Sequence, residues 1–159
     1  MVTGSSLCYN PEPRTRAVAD RFLLDSSAFI TLTDREPGVE RVRELLKAAK
    51  RGEIELFSTF VSLTELQYIK TYDNGAAWAN RMMNAVRKFP VHWVHSDVTL
   101  CAAAADLKAT YTISFADSFV AAAAVRLDAV LVHKDPQFAP LAHLAQEMLP
   151  PKTAATPRT

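Results

Sequence analysis

Four carboxylates stand where an ordinary core would place something else: Asp25, Glu65, Asp117 and Asp135. Asp25 ends the apolar run Phe22, Leu23, Leu24 and is followed by two small hydroxyl residues, Ser26 and Ser27. Asp135 comes just after a second apolar run in "AVLVHKDPQF". Glu65 belongs to "FVSLTELQYIKTY", where Val61 and Ile69 lie one helical turn to either side, so it interrupts an apolar row. Asp117, in "ISFADSFVAA", sits the same way between Ile113 and Val120 or Ala121. Each acid also has an ordinary explanation. Asp25 can cap the helix after it, Asp135 can form a turn with Pro136, and the other two can lie at the margins of their stripes. Taken as a set they are harder to explain, because Lys134 is the only Lys or Arg adjacent to any of them. Unpaired buried carboxylates are costly or shift their pKa upward. A cluster of them without basic partners calls for a hard divalent cation, Mg²⁺ or Mn²⁺, which can activate water and brace the departing oxygen of a phosphodiester.

The elements that must position these acids follow from period and punctuation. Strands are predicted at "RFLLD", "IELFST", "VHWVH" and "AVLV", with a fifth, short one near Glu147 to Leu149. Helices are predicted over "SAFITLTD", Val39 to Arg51 (stopped by Gly52), "FVSLTELQYIKTY", "AAWANRMMNAVRKF" (closed by Pro90), the alanine-rich stretch capped by Ser96 or Asp97, and "SFADSFVAAAAVRL". "PQFAPLAHL" reads as a helical turn. Strands alternating with helices give an α/β fold around a mostly parallel sheet. In such sheets ligands bind beyond the carboxyl ends of the strands. Asp25 and Asp135 then share one edge of the sheet.

The bulk properties bound the class. The chain has 159 residues, enough for one domain with a real core, and 49% of them are hydrophobic. Residues 1–20 read as a flexible leader, 21–149 as the domain and 150–159 as a flexible tail. No apolar run approaches the ~20 residues that span a bilayer, and no secretory signal is evident, so the expectation is a cytoplasmic protein without a membrane partner. Two cysteines, Cys8 and Cys101, make neither a disulfide framework nor a zinc cluster. Net charge is +1, which does not announce a nucleic-acid partner. Locally, Arg81, Arg87 and Lys88 fall in a stretch without acids, and Arg41 and Arg43 lie on a mixed-charge helix. With only Gly4, Gly38, Gly52 and Gly75, a phosphate-binding P-loop is excluded.

The motifs together resemble the PIN-domain ribonucleases, and most closely the VapC-like toxins of bacterial toxin–antitoxin pairs. "LLDSSAFI" is similar to the opening hydrophobic–Asp–Ser/Thr motif, "FVSLTEL" to the second, "ISFADSFVAAAA" to the third and "VLVHKDPQF" to the fourth. The ordered set runs from about Phe22 to Leu149. The resemblance implies a three-layer PIN-like fold with four or five strands flanked by helices, and cleavage of RNA dependent on Mg²⁺ or Mn²⁺. It also implies a homodimer and inhibition by a small VapB-like antitoxin. Carried over, Asp25, Asp117 and Asp135 would be metal ligands, Glu65 would hold a water or a second ion, and Ser26 would fix Asp25 within the cluster. His133 stands where Thr or Ser is frequent, and Gln137 where a further acid is frequent. The imidazole of His133 would contact phosphate, support Asp135 or crowd the site. RNA would be gripped by Arg81, Arg87, Lys88 and Arg41 or Arg43.

Other candidates carry less. His92 and His95, three apart on a strand, point to opposite faces and do not make a ligand pair. Trp78 and Trp93 read as core or interface residues, while Tyr68, Tyr72 and Trp78 mark an apolar groove for an antitoxin helix. The runner-up to a nuclease is a PIN scaffold that binds RNA or protein without cutting. A phosphatase or phosphoryl receiver is a third reading, opposed by Ser27 standing where an aspartyl phosphatase wants a second acid.

Overall fold

The computed structural model describes residues 20–152. Residues 1–19 of the expected leader and most of the expected tail lie outside the described residues. The elements run β1 (Arg21–Leu24), α1 (Ser26–Asp34), α2 (Val39–Lys50), β2 (Glu55–Thr59), α3 (Phe60–Asn74), α4 (Ala76–Val86), β3 (His92–Val94), α5 (Val98–Thr110), α6 (Phe115–Leu127), β4 (Val130–His133), a single 3₁₀ turn (Pro136–Phe138) and β5 (Gln146–Met148). The five strands form one sheet in the order β3-β2-β1-β4-β5, and every pairing is parallel.

That order creates the site. From the central β1 the chain winds outward to β2 and β3, then crosses back to β4 on the other side of β1. The reversal falls between β1 and β4, and a crevice opens beyond the carboxyl ends of strands at such a switch point. The register pairs Leu23 with Leu131 and Leu24 with Val132. Alternate residues then go to opposite layers. Leu23 and Leu131 join Val120, Ala123, Phe138 and Leu141 on the α5–α6 side, while Leu24 and Val132 join Phe29, Val42, Leu45 and Met83 on the other.

Helix boundaries have local causes. Asp25, Thr59, Asp97 and Ser114 cap α1, α3, α5 and α6 through their side chains. Gly52, at φ 73°, carries the turn after α2. Every residue of α6 from Asp117 to Ala124 is buried, and the alanines let the helix lie close against the sheet. Across α1 and α3, the buried ammonium of Lys70 meets both Asp34 oxygens at 2.6 and 2.7 Å and Asp73 at 3.3 Å. Near the last described residue, Lys152 meets Glu36 at 3.0 Å. No helix among the described residues is long and apolar enough to cross a membrane.

Candidate metal centre at the β1–β4 switch point

Asp25 is held from below and behind. Its Oδ2 accepts from the Ser27 backbone N–H at 3.2 Å and from Ser27 Oγ at 2.8 Å. Ser27 Oγ in turn accepts from the Lys134 backbone N–H at 3.0 Å, so one hydroxyl ties the end of β1 to the segment leaving β4. Ser26 Oγ donates to Glu65 Oε2 at 2.9 Å and lies 3.4 Å from Asp25 Oδ1. The strong link to Asp25 is therefore made by Ser27, while Ser26 chiefly joins Glu65 to the cluster. Ser27 was not among the expected site residues. Its signal was its place two residues into a helix capped by Asp25, where a hydroxyl can turn back onto the cap.

Asp117 sits at the third position of α6 in a reciprocal capping box. Its N–H donates to Ser114 Oγ at 3.0 Å, and its Oδ2 accepts from the Ser114 N–H at 3.3 Å. Asp135 caps the 3₁₀ turn and accepts from the Gln137 N–H at 2.8 Å. The ordinary roles foreseen for Asp25 and Asp135 are thus real, and they coexist with convergence. Burial pushes the Glu65 carboxyl up from its usual range; Ser26 opposes this, and the negative charges of Asp25, Asp117 and Asp135 all push it further up. Burial likewise raises Asp25, against its bonds to Ser27 and Ser26, and the charge of Asp117 adds to the rise.

No basic group relieves this repulsion. None of the four acids takes part in an ion pair among the described residues. Lys134, the one basic neighbour in sequence, turns its ammonium to Glu36 at 2.9 Å. The donor set, hard oxygens with uncompensated charge, fits a divalent cation in type. Among the described residues, however, no group of three or more His, Cys, Asp or Glu side chains is set to hold a metal ion. Each acid is turned onto its own cap or hydroxyl. A cation would have to draw them together.

The remaining expected residues divide. His133 is buried at 2% exposure, forms no hydrogen bond to Asp135, and meets the edge of Phe138 with ring centroids 4.9 Å apart. Arg41 is engaged by Glu147 at 2.6 and 2.9 Å and lies over the Phe22 ring. Arg43 pairs with Glu40. Arg87 and Lys88 lie between α4 and β3, at the amino end of that strand, on the sheet edge opposite the acids. Arg81 is exposed on α4. His92 and His95 are both exposed. Tyr68 and Tyr72 line a shallow groove of about 330 Å³ with Thr64, Gln67 and Thr71.

Comparison with known proteins agrees with this architecture. The chain is similar in fold to the DNA-bound VapBC of Salmonella typhimurium, with a TM-score of 0.67 and 15% identity over 81% of this chain and 98% of that one. It is similar to VapBC2 of Rickettsia felis bound to a promoter DNA fragment, with a TM-score of 0.66 and 16% identity over 81% and 98%. It is also similar to the sarcin–ricin loop cleaving toxin VapC20 of Mycobacterium tuberculosis, with a TM-score of 0.62 and 16% identity over 76% and 95%. No curated protein matches the chain significantly in sequence. The PIN domain family matches over residues 22–144, most of the chain and all four acids, and the chain belongs to that family.

Proposed function

We propose that this chain is a divalent-metal-dependent endoribonuclease, the toxin of a VapBC-type pair. The observation that carries the reading is the convergence on Glu65, a half-buried carboxyl raised first by burial and further by the charges of three other acids, which no basic residue neutralises. A structural cluster gains nothing from such repulsion, whereas a cation site requires it.

Asp25, Asp117 and Asp135 would hold the cation, Mg²⁺ or Mn²⁺. It would supply polarisation of the attacking water and neutralisation of charge on the departing 3′ oxygen. Ser27 fixes Asp25 against the end of β4, and Ser26 fixes Glu65 through Oε2. Oε1 of Glu65, the oxygen not bonded to Ser26, would then take the proton of the attacking water. Water attacks phosphorus, the 3′ oxygen leaves, and the fragment carries a 5′-phosphate. A single-stranded or looped RNA offers the bare backbone that this crevice needs. Of the basic candidates, Arg81 carries no ion pair among the described residues, Arg41 and Arg43 are already engaged, and Arg87 and Lys88 lie at the opposite edge of the sheet.

The VapBC assemblies among its fold relatives support a VapB-like antitoxin as partner. So does the exposed pair of Tyr68 and Tyr72, at 47% and 85% exposure, which line the groove on α3; Trp78 is exposed but is not part of that lining. A homodimer and a cytoplasmic location go with the same reading.

A second reading, a PIN scaffold that grips RNA or protein without cutting, is favoured by the lack of a ready-made ligand group among the described residues. Labelled total RNA incubated with Mg²⁺ or Mn²⁺, against chelator, separates the two. Discrete fragments with 5′-phosphate ends that require metal are expected. RNA retained by the folded protein and left intact under every metal would favour the binding module.

A further inference from the structure

Among the described residues, His133 is a buried polar side chain that the core does not explain. It is 2% exposed, and neither Nδ1 nor Nε2 has a hydrogen-bond partner. A neutral imidazole has one donor and one acceptor, and burying both unpaired forfeits the water each would have had. Edge-on packing against Phe138 fills space and would be served equally by a phenyl ring. The nitrogens need another reason.

Their position supplies one. Leu24 pairs with Val132, and the Asp25 N–H donates to the Val132 carbonyl at 3.1 Å. In a parallel ladder that bond sets Asp25 opposite His133, and registered neighbours point to the same face. The residues two before each, Leu23 and Leu131, lie together in the layer under α6, the helix that carries Asp117. The register therefore sets His133 level with Asp25 at the strand ends, in the layer under the helix that carries Asp117. The imidazole forms no bond to Asp25, whose oxygens are taken by Ser27 and Ser26.

We propose that His133 is a further ligand of the acidic site, an imidazole donor level with Asp25 that biases the site away from Mg²⁺ and toward Mn²⁺ and later first-row divalent ions. Imidazole nitrogen suits transition ions, whereas Mg²⁺ keeps to oxygen. The inference rests on reading the acids as a cation site, but it does not need RNA cleavage to be tested.

The test loads the intact protein with Mn²⁺ alone, without RNA, and looks by pulsed electron paramagnetic resonance for modulation from a directly coordinated nitrogen. Mn²⁺ and Mg²⁺ dissociation constants are measured alongside for wild type, His133→Thr and His133→Phe. The phenyl variant keeps a ring against Phe138, so it guards against simple loss of folding, and both variants retain the other three histidines. The expected result is nitrogen coupling in wild type that vanishes in both variants, with the preference for Mn²⁺ over Mg²⁺ falling roughly tenfold or more. Mn²⁺ bound to wild type without nitrogen coupling, or an unchanged preference in the variants, would overturn the assignment and leave the carboxylate site standing. Failure of the folded wild type to bind either ion would overturn the cation reading of the acids as well.

Discussion

At the scale of residues, the site is a contest between self-satisfaction and repulsion. Asp25 is nearly buried and its carboxyl is raised, first by burial, so the folded chain binds a proton there more readily than the unfolded chain does. Between the ordinary carboxylate pKa and the raised one, the folded state holds more protons, and stability falls as pH rises through that window. Asp25→Asn keeps an oxygen for Ser27 and removes the charge. Without metal it should melt ~2–6 °C above wild type at about pH 7, and the lead should vanish near about pH 3. Ser27→Ala acts oppositely. It deletes the hydroxyl between Asp25 and the Lys134 N–H, and should cost about 1–2 kcal/mol in urea unfolding. It should also lower metal-dependent cleavage roughly tenfold in single-turnover assays. The four acids were legible in the sequence as a set with almost no basic neighbour, although three of them also cap or brace their own helical turns. Ser27 was not, because its partner Lys134 is brought to it only by the pairing of β1 with β4.

At the scale of elements, the boundaries owe most to capping side chains and to glycine. Gly38 shows how closely the last strand is fitted. It holds φ at 96°, and a Cβ there would lie 3.0 Å from Pro150 Cδ and 3.3 Å from Leu149 Cβ. Gly38→Ala should therefore lose about 1–3 kcal/mol in chemical denaturation, through both the left-handed backbone and the displaced end of β5. The strands and most helices were legible because their apolar periods are clean and Gly52 and Pro90 punctuate them. Helix α6 was expected at "SFADSFVAAAAVRL" and is found there as Phe115–Leu127. It is buried on every side, so its sequence carries no amphipathic stripe. The basic candidates show the limit of one-dimensional reading. Arg41 and Arg43, expected as RNA contacts, are engaged by Glu147, more than a hundred residues away, and by Glu40.

At the scale of the whole molecule, strand order does what composition does not announce. A chain of net charge +1 has no global field to draw RNA, and its acids are scattered over more than a hundred residues. The order β3-β2-β1-β4-β5 places the ends of β1 and β4 side by side, and α3 and α6 bring Glu65 and Asp117 toward the same edge. The alternation of strands and helices made the α/β class legible, but not the mutual engagement of each acid with its cap, which leaves the described residues without a ready-made ligand group. The central claim is that these acids form a cation-dependent cutting centre. It is tested most directly by the single-turnover rate of cleavage of one defined single-stranded RNA, with Mn²⁺ or with chelator, by wild type and by Asp117→Asn. The account predicts cleavage by wild type that chelator abolishes, and a loss of at least about a hundredfold in the Asn variant. Equal cleavage by the two proteins, or cleavage that survives chelator, would contradict it.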